Sequence, residues 1–133
     1  MNSFSGHIAQ IESSGNISIV SVAIDEKLTL KSVIIDTQET APYLVEGAAV
    51  KTLFKETEVI ISLEQDLAIS LQNRIAGTVS EIEKGALLSR IVIDTDNGSL
   101  VSIISTQAAK NLKLTKGLHI TAMIKLNEII LAP

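Results

Sequence analysis

The chain has no cysteine and no tryptophan, and only one tyrosine, two phenylalanines and two prolines in 133 residues. Without cysteine there can be no disulfide, thiol nucleophile or cysteine-bound metal. With aromatics at 2%, the stacking platforms that hold single-stranded nucleic acids are missing. Positive charge is also scarce. Lys and Arg number 11 against 15 Asp and Glu, a net charge of −4, whereas a phosphate backbone is bound by a basic face that displaces its counterions. No direct nucleic-acid partner is expected. No apolar run approaches the length of a membrane span. Met1 to Gly6 lacks the basic start and apolar stretch of a secretory signal. The expectation is a cytoplasmic protein with no membrane association. His7 and His119 lie near opposite ends of the chain with no cysteine or second histidine at ligand spacing, so no metal site is expected. Phosphate-loop, Gly-x-Ser-x-Gly and Ser/His/Asp patterns are missing too. The chain does not read as an enzyme.

What it has in abundance is Ile, Val, Leu and Ala, within a hydrophobic share of 46%, and it has them twice. At an offset of 70, Ser32-Val33-Ile34 falls on Ser102-Ile103-Ile104, and Leu44 to Gly47 falls on Leu114 to Gly117. Leu53 to Ile60 falls on Met123 to Ile130. At the start the offset is 71, with Asn2 on Asn73 and Gly6 on Gly77. Two copies of about 65 residues are too few for a solenoid, and they read as two small domains of one fold, 1–63 and 70–133. Neither can bury much core alone, so the copies should pack on each other, on other chains, or both. The connection 63–69, Leu-Glu-Gln-Asp-Leu-Ala-Ile, is no Gly/Ser tether, which argues for a fixed arrangement.

Period-two alternation dominates. From Leu118 to Leu126, Ile120, Ala122, Ile124 and Leu126 should face one way, and His119, Thr121, Met123 and Lys125 the other. In the first copy Val50, Thr52 and Phe54 make the matching face. Leu88–Asp94 and Leu100–Ser105 read as a hairpin across Asp96-Asn97-Gly98. Ile17–Ile24 and Leu28–Ile35 read as its counterpart. Thr106 to Leu112 is a short helix; Pro42 weakens its mate. Each copy therefore follows the order strand, strand, strand, short helix, strand, strand. The fold class is all-β: two tandem five-stranded barrels of the oligonucleotide/oligosaccharide-binding type, each with one short helix.

Four segments in order carry a family resemblance. In the second copy these are Ser70-Leu71-Gln72-Asn73 followed by Gly77-Thr78-Val79, then Gly85-Ala86, then Val101 to Ser105, then Leu112-x-Leu114-x-x-Gly117 leading into Ala122-Met123-Ile124-Lys125. They resemble the molybdate-binding Mop (TOBE) domain in its tandem, molbindin-like form. The resemblance implies an intracellular molybdate- or tungstate-binding protein for molybdenum storage or homeostasis. It also implies self-association, as a trimer in preference to a dimer. The alternative is a degenerate pair of such domains serving regulation or assembly of molybdate uptake without strong ligand binding.

The resemblance also implies a site. Molybdate and tungstate are tetrahedral dianions, held by hydroxyls, backbone N–H groups and one or two cations. Carried over by position, Ser70, Leu71, Gln72, Asn73 and Lys125 would come from one chain and Ser105 from its neighbour. The family has Arg where this chain has Gln72, and a neutral amide does not replace a charged, bidentate guanidinium; Arg74 stands two places later. In the first copy only Met1 precedes Asn2, and Ile35 takes the place of Ser105. The second copy is thus the better binding candidate. Simpler roles stand beside these: a solvated surface lysine for Lys125, a helix N-cap for Ser105, and backbone geometry for Gly77 and Gly117.

Overall fold

The computed structural model describes residues 1–133 as two five-stranded antiparallel sheets. The first copy supplies β1 (Asn2–Ser14), β2 (Ile17–Ala23), β3 (Thr29–Ile34), β4 (Ala49–Phe54) and β5 (Ile60–Ser62). The second supplies β6 (Asn73–Lys84), β7 (Leu88–Thr95), β8 (Gly98–Ser105), the helix α1 (Thr106–Asn111), β9 (His119–Ile124) and β10 (Ile130–Ala132). Both long strands shift register at equivalent places, between Ile8 and Gln10 and between Val79 and Glu81. A bulge there bends the strand, so one strand can pair over its length with two neighbours.

The copies exchange their last strands. The sheet orders are β10-β4-β1-β2-β3 and β5-β9-β6-β7-β8. A boundary between 63 and 70 therefore separates the sequence copies but not the sheets. After β4 a three-residue 3-10 turn, Glu56–Glu58, carries the chain across, and after β9 the turn Leu126–Glu128 carries it back. Two equivalent hydrogen bonds lock the crossing. Ser102 Oγ donates to the Val59 carbonyl at 2.8 Å, and Ser32 Oγ donates to the Ile129 carbonyl at 2.6 Å. The apolar faces merge into one cluster of 23 buried residues drawn from both copies, including Phe54, Leu30, Ile91 and Leu100. One shared interior meets the burial requirement that neither copy could meet alone.

Only one helix forms. Ser105 caps α1 by accepting from the Ala108 N–H at 3.0 Å, and Leu112 N–H closes its end on the Ala108 carbonyl. In the first copy Ile35 has no oxygen with which to cap. Pro42, at the position of Leu112, has no N–H to close the turn. Residues 37–47 form turns instead, so the expectation of a helix in each copy is corrected to one.

The last long strand is also shorter than its alternation suggested. β9 stops at Ile124, and Lys125 precedes the 3-10 turn rather than extending a strand face. Its second face is not solvated either: Thr121 and Met123 are buried with Ile120, Ala122 and Ile124. Gly77 has a structural cause. A Cβ there would lie 2.5 Å from Ile93 Cγ2 and 2.8 Å from the Asp94 carbonyl oxygen. Gly117, at φ +92°, occupies the left-handed region that glycine tolerates.

Candidate functional site

β6 and β9 define one end of the second sheet. Asn73 pairs with Ile124, so the antiparallel register sets Gln72 opposite Lys125 one step past the ladder. Ser70, Gln72 and Lys125 are exposed and Leu71 is half-buried. This end thus presents a hydroxyl, an amide and an ammonium, with no carboxylate in ion-pair contact with Lys125: the two ion pairs of the molecule are Met1–Glu56 and Glu83–Arg90. Outside the strand ladders, no backbone N–H from Gln65 to Gln72 donates to a backbone carbonyl. The strip is rich in unengaged donors, as an anion requires.

Asn73 is differently placed. It is 1% exposed, its Oδ1 accepts from the Lys31 N–H at 2.7 Å, and its Nδ2 donates to the Lys31 carbonyl at 2.8 Å. Asn2 does the same to Val101, at 2.8 Å in both directions. Each asparagine ties the first strand of its copy to the third strand of the other. The family resemblance groups Asn73 with the ligand segment. Its repetition as Asn2 was the available signal that its role is shared by both copies.

Ser105 ends β8 opposite Leu88, and the neighbouring Ser89 pairs with Lys84. It therefore sits at the far end of the 12-residue strand β6 from Gln72. Within one chain, Ser105 and the Gln72–Lys125 end are not brought together. The Ser105 Oγ accepts the Ala108 N–H, which leaves its O–H free to donate.

Arg74, noted in the sequence only as displaced, has a defined task. Its Nε donates to the Leu71 carbonyl at 2.8 Å, Nη1 to Gln65 at 3.2 Å, and Nη2 to Leu67 at 2.7 Å and Ile69 at 3.1 Å. Four carbonyls of the segment joining the copies converge on one guanidinium. Arg74 and Met123 are cross-strand partners and share a face. Met123 is 1% exposed, whereas its first-copy mate Leu53, beside which Ser3 replaces Arg74, is only partly buried.

Beneath this segment two adjoining cavities of about 430 and 300 Å³ open over Ala76 and Thr121. They are walled by Gln65, Thr95 and Asp96. Neither includes Ser70, Gln72, Ser105 or Lys125. Asp25 borders the smaller one. Its carboxyl is held below its ordinary 3.8 chiefly by the Lys27 N–H, with help from the Asn97 side chain and the Leu28 N–H. No cluster of three or more His, Asp or Glu is arranged to hold a metal ion, and no helix is long and apolar enough to cross a membrane.

Comparison with known proteins agrees with this architecture. Residues 69–131 match the TOBE domain. The chain is 24% identical over 132 residues to the molybdenum transport protein ModE of Azotobacter vinelandii, covering 98% of this chain and 49% of that protein. It is 30% identical over 66 residues to molybdenum-pterin-binding protein 3 of Clostridium pasteurianum, covering 49% of this chain and 97% of that protein. The crystal structure of the cytoplasmic molybdate-binding protein ModG, with molybdate bound, superposes with a TM-score of 0.91 at 23% identity, over 98% of this chain and 94% of that one. The chain spans about half the length of ModE. The repeated sequence, the paired five-stranded sheets and these likenesses agree: the chain belongs to the TOBE/Mop domain family, with two copies in tandem.

Proposed function

We propose that the protein is a cytoplasmic, non-catalytic binder of molybdate or tungstate that stores or buffers molybdenum. The observation that carries this reading is the end of the β6–β9 ladder. There Ser70, the Leu71 backbone, Gln72 and Lys125 gather donors and one uncompensated cation. Such a set suits a tetrahedral dianion.

The protein works as a homo-oligomer, a trimer in preference to a dimer. Ser105 and the Gln72–Lys125 end lie at opposite ends of β6, so a pocket that uses both needs a second chain. Ile60 on β5 and Ile130 on β10, equivalent positions about half exposed, offer apolar surface for that contact. Asn73 contributes by fixing where Gln72 lies, since its amide is engaged by Lys31.

Titration calorimetry with molybdate, with tungstate and sulfate as competitors, tests the ligand, and light scattering at micromolar concentration tests the assembly. Saturable heat with molybdate and a species larger than a monomer are expected. The rival reading, an assembly or regulatory module without strong binding, is favoured by Gln72 and by Ile35, which is 78% exposed where the second copy has Ser105. An absence of heat with every oxyanion would establish that rival.

A further inference from the structure

We propose that Arg74 is a positioning residue: by gathering the carbonyls of Gln65, Leu67, Ile69 and Leu71 it holds the 65–72 segment with its donors turned outward as half of an oxyanion pocket. This rests on the oxyanion-binding reading above.

The argument begins with charge. A guanidinium has five N–H donors in a rigid fork, and the bonds described above direct four of them to neutral carbonyls, at 2.7–3.2 Å. No carboxylate is in ion-pair contact with it: the two ion pairs of the molecule lie elsewhere, and Asp25 and Asp96 only share the cavity that it borders. The acceptors come from alternate residues along a segment with no strand or helix of its own. Unorganised, such a segment presents carbonyl lone pairs and N–H groups alike, and the lone pairs repel an anion. With its carbonyls bound by Arg74, the N–H groups from Gln65 to Gln72 remain without carbonyl partners. The last of the four bonds, Nε to Leu71, fixes the residue between Ser70 and Gln72. Position 72 is a glutamine, and the arginine two residues later is bound to backbone, where it orders the donors. The first copy has Ser3 at the equivalent position.

Positioning differs from a field effect and from direct ligation in what lysine can do. An ammonium keeps the charge but has three donors on a flexible stem and cannot span four carbonyls held by a planar fork. The test compares wild type, Arg74→Lys and Arg74→Gln. It uses molybdate calorimetry and backbone ¹⁵N order parameters for residues 65–72, with those of β6 and β9 as the control for folding. The expected result is that both variants lose affinity by about tenfold or more, through lost preorganisation. The order parameters of 65–72 should fall toward the flexible range while the sheet stays rigid. Near-wild-type affinity in Arg74→Lys would overturn the proposal in favour of a charge effect, as would a segment that stays rigid in Arg74→Gln. Wild type that binds no molybdate would overturn the oxyanion reading, and this proposal with it. Binding by wild type with an unaffected Arg74→Lys overturns this proposal alone.

Discussion

The side chain of Asn73 and the backbone of Lys31 are joined by two hydrogen bonds, of 2.7 and 2.8 Å, across 42 residues of sequence. Asn2 and Val101 repeat the arrangement across 99 residues. Replacing Asn73 by Ala leaves the Lys31 N–H and carbonyl unpaired beside a buried position and should cost about 1–3 kcal/mol. Asn73→Asp should cost more, because it buries a carboxylate and sets its second oxygen against the Lys31 carbonyl oxygen with no proton between them. Urea unfolding of both variants, and of Asn2→Ala, checks this. The two alanine variants should be destabilised to a similar degree.

The exchanged strands make each copy dependent on the other. Leu131 on β10 and Ile61 on β5 are both buried in the shared core. Truncation to alanine should cost about 2–5 kcal/mol at either site. The chemical-shift changes should appear in the opposite copy: in β4 for Leu131→Ala and in β9 for Ile61→Ala, following the pairings Leu131–Thr52 and Ile61–Ala122. Changes confined to the mutated copy would contradict the exchange.

At the proposed site, Lys125→Gln should weaken molybdate binding by about 1–3 kcal/mol, the scale of a lost charge-assisted hydrogen bond. Lys125 is exposed and outside the core, so thermal stability should barely change. Gln72→Arg supplies a second cation opposite Lys125 and should tighten binding. Calorimetry on the two variants decides. Unchanged affinity in both would move the pocket elsewhere.

Ser105→Ala should weaken molybdate binding more than Thr37→Ala, because Ile35 replaces the hydroxyl at the equivalent end of the first copy. The same change removes the cap of α1 and should lower stability by about 1 kcal/mol. Ser105→Asp separates the two effects. It keeps a capping oxygen but brings a negative charge to the anion, so stability should be retained while binding falls.

Asp25 supplies a pH dependence. Its carboxylate accepts the Lys27 and Leu28 N–H groups, both at 2.7 Å, and its pKa is held below 3.8 in the fold. A depressed carboxyl pKa stabilises the fold above the unfolded value, and that contribution is lost as pH falls through the folded value. Acid unfolding of Asp25→Asn should therefore show a shallower dependence on pH below about 4 than wild type.

Much of this molecule is local and therefore readable from residue order. The strands follow from alternation. The tight turn at Asp96-Asn97 follows from Asn-Gly, and α1 follows from Ser105 as its cap. The missing first-copy helix is foreshadowed by Pro42. The repeat announces two copies of one small all-β fold, and two of the four family segments, those ending in Asn73 and Lys125, lie together at the end of the β6–β9 ladder. The tertiary structure decided the rest. Val59-Ile60-Ile61 and Ile129-Ile130-Leu131 are so alike that residue order cannot tell which sheet receives which strand. The 3-10 turns that cross between copies, and the seryl hydroxyls that catch the chain on the far side, settle it. Thr121 and Met123 alternate as solvent-facing residues should, yet they are buried in a strand that lies between β6 and the exchanged strand β5. The engaged amides of Asn2 and Asn73, and the four carbonyls on Arg74, depend on backbone groups that every residue possesses. A side chain's type shows what it can bond, but only the folded path of the chain determines which of those identical groups comes within reach.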